Sequence, residues 1–382
     1  MAITVGVIVA NIYYAQPLLK DMARTFSLEV TQAGAVAMLS QAGTAVGMFL
    51  FVPLGDKFER RSLIVTLLLA AFVSLTLLAT ARNTVWLSLA SFCVGLTGAC
   101  VHVVVPFAAN LASPKQRGKV VGTVVAGILF GVLLARTFSG TIGDAFGWRS
   151  VYGIAAAAML ALAVVVRARL PLSRPGIEIS WIDLMRSAWD LVVKHPALRE
   201  SAALGALFFA AFSAFWTTLV FFLQSPAYHY EKAGFVAGVF GLIGAVGAMG
   251  APFIGHLAQK HGPRFTIRIA LWLALASFAF MGLTGKNLYC LIIGVIVMDL
   301  GVQSGHVSNQ TRIYAIDPGA RSRLNMVYMV CYFIGGGLGS WLGALAWHYF
   351  EWIGVAGFGV LAIALALLVE WRYGDAELPT NH

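Results

Sequence analysis

The chain has 382 residues, 59% of them hydrophobic and 11% charged, with a mean hydropathy of +0.83 and a formal net charge of +10. Soluble globular proteins carry about 25% charged residues, so this composition sets a soluble enzyme aside. The positive excess sits in short segments between apolar runs, which suits lipid headgroups rather than nucleic acid.

In chain order, twelve apolar runs are long enough to cross a bilayer: 2–20, 30–54, 62–81, 84–110, 119–143, 150–167, 201–224, 233–257, 265–284, 288–311, 323–347 and 353–371. The first begins at Met1 and reads as a span rather than a secretory signal, since eleven more follow and it has neither a basic leader nor a cleavage site. Nineteen Lys and Arg residues fall in the segments after even-numbered runs and in the tail, against six on the other side. The positive-inside rule therefore predicts cytoplasmic termini and a cytoplasmic central loop. Within that loop, Ile182, Leu184, Ala188, Leu191 and Val192 recur at helical spacing after a candidate Ser180 cap, predicting an interfacial helix. The expected fold is an all-α integral membrane protein with a six-helix bundle over 1–170, a linker over 171–198 and a second bundle with a short tail over 199–382. The cysteines at 93, 100, 290 and 331 lie inside apolar runs without metal-ligand spacing and read as small buried side chains.

The halves repeat. At an offset of 204 residues, His102 falls on His306, Gly131 on Gly335 and Trp148 on Trp352, and the segment from Ala112 matches that from Ile316. At 203, the segment Val52–Arg61 matches Gly255–Arg264. Parallel repeats of this kind occur in transporters that bind substrate near the midplane and rock around it.

The tenth run, LYCLIIGVIVMDLGVQSGHVSNQT, carries a carboxylate near its centre. Asp299 lies about 16 Å along the helix from Leu288, close to mid-bilayer. At about 100° per residue, Gln303, His306 and Gln310 share its face, a stripe that needs protein or a water-filled cavity beside it. Arg136 is the second charge within a run; it either snorkels outward, with Asp144 as a surface partner, or pairs inward. Ser213, Thr217 and Gln224 share one face of run seven, where hydroxyls serve either substrate or backbone carbonyls. His102 and His306 titrate near neutral pH when unperturbed and are either secondary proton carriers or neutral packing residues. The glycines of runs five and eleven read as close-packing positions.

The segment PLGDKFERR after run two resembles the cytoplasmic signature of the major facilitator superfamily, departing from it at Val52 and Glu59. The motifs NIYYAQPLL, LART, GWR and SNQTR further resemble that superfamily's bacterial efflux-permease branch. The resemblance implies that runs one, four, seven and ten line the cavity, with Asn11, Tyr14, Trp216, Thr217, Gln224, Gln303 and Gln310 facing substrate. It also implies a latch formed by Asp56, Lys57, Arg60 and Arg61 at the cytoplasmic side. The window at Gly131 lacks the proline and final glycines of the branch's antiporter signature.

Together these readings predict a monomeric secondary transporter of the bacterial inner membrane, not an enzyme. It would have no cofactor, use the proton gradient as driving force, and have a small organic molecule, protons and membrane lipids as partners. Asp299 is the first candidate for proton coupling, followed by His306, His102 and Arg136. Proton-coupled uptake, or a non-transporting membrane sensor or scaffold on the same fold, are the alternatives.

Overall fold

Backbone amides in hydrocarbon have no water to bond, so apolar runs of this length must close their hydrogen bonds within helices. The computed structural model describes residues 1–113, 116–173, 181–250 and 262–373, excepting the side chains at 56, 109, 117, 118, 121, 248, 249 and 318, and contains no strand among them.

The first span is made of α1 (Ala2–Tyr13) and α2 (Ala15–Phe26). They part where Pro17 has no amide to give the Tyr13 carbonyl. Next come α3 (Val30–Lys57), α4 (Arg60–Ala79), α5 (Thr84–Gly98), α6 (Val101–Leu111), α7 (Arg117–Phe146) and α8 (Trp148–Arg169). The linker contributes α9 (Trp181–Lys194), and α10 (Pro196–Gln224), α11 (Ala233–Met249), α12 (Pro263–Thr284), α13 (Leu288–Tyr314) and α14 (Arg321–Arg372) complete the chain. Among the described residues, ten helical stretches are long and apolar enough to cross a membrane. One of these, α14, is broken at Glu351 (φ 50°, ψ −140°) into two spans, and the eighth expected span is described only as α11.

Two compact units emerge. The first comprises Met1–Trp181 together with Lys232–Gly241, and the second Ile182–Glu231 with Leu242–His382, so α11 begins in one and continues in the other. In the first unit α1 lies on α7 closely enough that a Cβ at Gly131 would meet the Gly6 carbonyl at 2.3 Å. In the second, a Cβ at Gly339 would meet the Ala210 carbonyl at 2.1 Å where α10 lies on α14. These are the small-residue contacts that close helix packing in membranes requires.

Helix α9 forms where the linker was expected to be helical. Ala188 and Leu191 are buried against the protein, while Ile182 is exposed and joins Trp189 and Val193 on a second apolar strip. Arg323 donates to Ser187, tying α9 to the start of α14. The candidate Ser180 cap, the side chain of Asp56 and most of the second signature copy lie outside the described residues.

Candidate functional site

In the first unit, Arg136 is 1% exposed and therefore turned inward rather than snorkelling. Its Nε donates to Gln16 Oε1 at 2.7 Å, and its guanidinium lies 5.2 Å from the Tyr13 ring centroid, so α1 and α2 supply both an acceptor and a π face. Asp144 is not its partner. That carboxylate receives Lys20 at 3.1 Å, and both side chains are buried. Asn11 points its amide at Met159 Sδ, 3.4 Å away, and its buried Oδ1 has no hydrogen-bond partner among the described residues. Tyr14 packs on Phe138, and His102 is half-buried on α6.

At the linker end of this unit the signature residues grip their own bundle. Glu59 caps α4 by accepting from the Arg61 and Ser62 amides and from the Ser62 hydroxyl. It also accepts the Ser173 amide at 2.8 Å. Partial burial pushes its carboxyl up, but the bonds from Ser173, Ser62 and Arg61 outweigh that and hold it down at about 2. Arg61 donates to the Leu170 carbonyl at 3.1 Å, Arg60 Nε to the Gly55 carbonyl at 3.0 Å, and Lys57 is exposed over the Phe58 ring. Glu59, the position where the signature departs, is thus a helix cap that fastens the start of the linker.

In the second unit, Asp299 is 2% exposed near the middle of α13. The position a Cβ would take at Gly244 lies 2.8 Å from Asp299 Oδ2 and 3.2 Å from Trp216 Cζ2, so the bare backbone of α11 admits both side chains beside it. The stripe on α13 continues through half-buried Gln303, His306 and Gln310. His306 Nδ1 is 2.9 Å from the Tyr328 hydroxyl, and its ring lies 4.7 Å from that of Tyr332. Gln310 donates to Asn325 at 3.3 Å, and Tyr314 donates to the same oxygen at 2.9 Å. Thr217 is fully buried and donates to Ser340 at 3.1 Å, a link between α10 and α14. Gln224 is exposed at the end of α10.

Several functional groups escaped the sequence reading. Glu200 is fully buried and binds Arg312 at 2.6 Å and Arg264 at 3.5 Å. Glu370, also buried, takes Arg268 at 2.7 Å. Arg312 and Arg264, counted from sequence as loop cations for lipid headgroups, are therefore internal partners, because each lies in or beside a helix end that faces a buried carboxylate, whereas Arg268 reaches Glu370 from an exposed position. Tyr328, Tyr332 and Asn325, which furnish the stripe's partners, carried no sequence signal beyond their place in run eleven.

Membrane-length helices in two units, each burying ionisable groups among apolar spans, are the arrangement of a polytopic membrane transporter. A family model described as Major Facilitator Superfamily matches residues 1–284, and the chain belongs to that superfamily. It is 41% identical over 372 residues, 97% of this chain and 94% of the relative, to an uncharacterized transporter, YgaY, of Escherichia coli O157:H7. It is 26% identical over 363 residues, 94% of this chain and 88% of the relative, to a probable sugar efflux transporter of Pasteurella multocida. Its fold is that of a bacterial homolog of the human lysosomal transporter Spinster, with a TM-score of 0.77 at 18% identity, covering 98% of this chain and 95% of that one. The nucleoside transporter NupG is similar, with a TM-score of 0.76 at 14% identity and coverage of 96% and 98%.

Proposed function

We propose that this transporter exports a small organic molecule in exchange for protons, with Asp299 as the proton carrier. The observation that carries the reading is a carboxylate 2% exposed at the middle of a membrane span, beside Trp216 and at the head of a polar stripe. A charge at that depth is retained where it serves a pathway. Protonated, the side chain is neutral and suits its apolar surroundings; ionised, it calls for a cation, water or a polar substrate group. Substrate binding and proton binding then compete for one site, so that uptake of one accompanies release of the other, which is the requirement for exchange.

In this reading Trp216, Gln303, Gln310, Asn11 and Tyr14 contact substrate, and His306, held by Tyr328, relays or biases the proton, with His102 and Arg136 secondary. The excess of Lys and Arg on one side supports cytoplasmic termini in a bacterial inner membrane. The outward direction is supported by the name of the Pasteurella multocida relative, a sugar efflux transporter. The driving force is the proton gradient.

The test is flux in liposomes under an imposed pH gradient, screened with sugars, nucleosides and organic cations. Exchange predicts accumulation of one of these on the acidic side. Accumulation on the alkaline side is the result of a symporter, and flux indifferent to the gradient removes proton coupling.

A further inference from the structure

The end of the first unit away from the linker holds a buried ion pair that the transport site does not use. We propose that Asp144 is a latch that holds the first turns of α11 against α7 and α2, and that its release is a step of the transport cycle. The proposal rests on the transporter class and not on proton coupling.

Both oxygens of the carboxylate are committed. Oδ1 lies 3.1 Å from Lys20 Nζ on α2, with side-chain exposures of 10% and 6% for Asp144 and Lys20. Oδ2 accepts the Phe235 amide at 2.6 Å. Phe235 is the third residue of α11, whose first amides have no acceptor inside the helix. Asp144 therefore caps a helix from outside it, where the positive end of the helix dipole also favours an anion. Charge-assisted bonds of this kind are roughly twice as strong as neutral ones.

The contact continues for two more turns. Thr137 Oγ1 donates to the Gly238 carbonyl at 2.9 Å. A Cβ at Gly140 would meet the Gly234 carbonyl at 2.2 Å, and one at Gly238 would meet the Arg136 carbonyl at 2.8 Å. Bare backbone on both helices makes a smooth seam, which holds by dispersion and parts without unthreading side chains. The seam ends at Gly241, and from Leu242 onward α11 belongs to the second unit. A helix shared in this way must leave one neighbour when a transporter alternates access. Of the two directional bonds among the described residues that resist that departure, the charge-assisted one is the Asp144 carboxylate's to the Phe235 amide, beside the neutral bond from Thr137 to the Gly238 carbonyl.

The experiment measures the opening itself. With the native cysteines replaced, nitroxides at Phe146→Cys and Lys232→Cys, both exposed, report the distance between the end of α7 and the start of α11 by pulsed electron resonance in lipid nanodiscs. The expected result is that Asp144→Ala shifts the ratio of long to short distances at least tenfold toward long. Asp144→Asn, whose amide oxygen still accepts from Phe235, and Lys20→Gln, which leaves the cap in place, should each shift it less. An unchanged distance distribution in correctly folded Asp144→Ala, even with a lowered melting temperature, identifies a structural brace and overturns the proposal. If Asp144→Ala does not fold, Asp144→Asn and Lys20→Gln decide by the same criterion.

Discussion

Glu200 shows how much a single buried charge organises. Its carboxylate holds Arg312 and Arg264 at one end of the second unit, joining α10, α12 and α13. Removing one partner from such a cluster leaves uncompensated charge in low dielectric, which costs about 3–5 kcal/mol. Glu200→Gln is therefore expected to lower stability by about that amount in chemical unfolding; a change below about 0.5 kcal/mol, the range of ordinary surface substitutions, would show the cluster to be solvated. Glu59 gives a prediction in pH. Its folded carboxyl is held at about 2 against an ordinary 4.5, so the bond to Ser173 is fully present above pH 4.5 and is lost as pH falls through 2. A nitroxide at Ser173→Cys should gain mobility over that interval in the wild type and show no such transition in Glu59→Gln. Neither carboxylate was legible from sequence. Glu200 meets Arg312 across 112 residues, and Glu59 occupies a position where the segment departs from the signature it resembles.

Among elements, the duplication is written into helix ends as well as residues. Asn83 caps α5 and Asn287 caps α13, the same residue at the offset of 204 that relates His102 to His306. At that offset Gly147 and Glu351 both have positive φ, 82° and 50°, and each precedes a buried tryptophan. Glycine enters that region without penalty, whereas Glu351 is held there by the turn between its two spans. The apolar runs therefore revealed the spans, and the repeat revealed their pairing. The break after Tyr13 was legible in principle from Pro17, while the break before Val101 has no comparable residue and depends on local bonds such as His102 to Ala99. The glycines of α14 were read as packing positions, and the seam on α10 bears that out. Gly339→Leu should force α10 and α14 apart and strain the Thr217–Ser340 bond, lowering stability by about 1–3 kcal/mol. The readout is melting in detergent, and a melting temperature equal to wild type would contradict the close contact.

For the molecule as a whole, the class and fold were open to a reader of the sequence because lipid leaves few choices: charge-poor runs of about 20 residues must be helices. Site residues were less open. The stripe through Asp299, Gln303, His306 and Gln310 follows from helical period alone, but its partners on α14 and the glycine face of α11 come from packing between segments far apart in sequence. Of the two readings open for Arg136, outward with Asp144 as its surface partner or inward, the structure shows the inward one, and Asp144, its neighbour along α7, is reached instead by Lys20 from α2. The central claim remains that Asp299 exchanges the driving proton. The most direct measurement compares pH-driven accumulation with substrate counterflow for wild type and Asp299→Asn in the same vesicles. Asparagine keeps the shape of the protonated carboxyl and cannot titrate, so accumulation should fall at least 100-fold, about 2.7 kcal/mol of lost coupling, while counterflow persists. Accumulation retained at the wild-type level in Asp299→Asn would contradict the assignment.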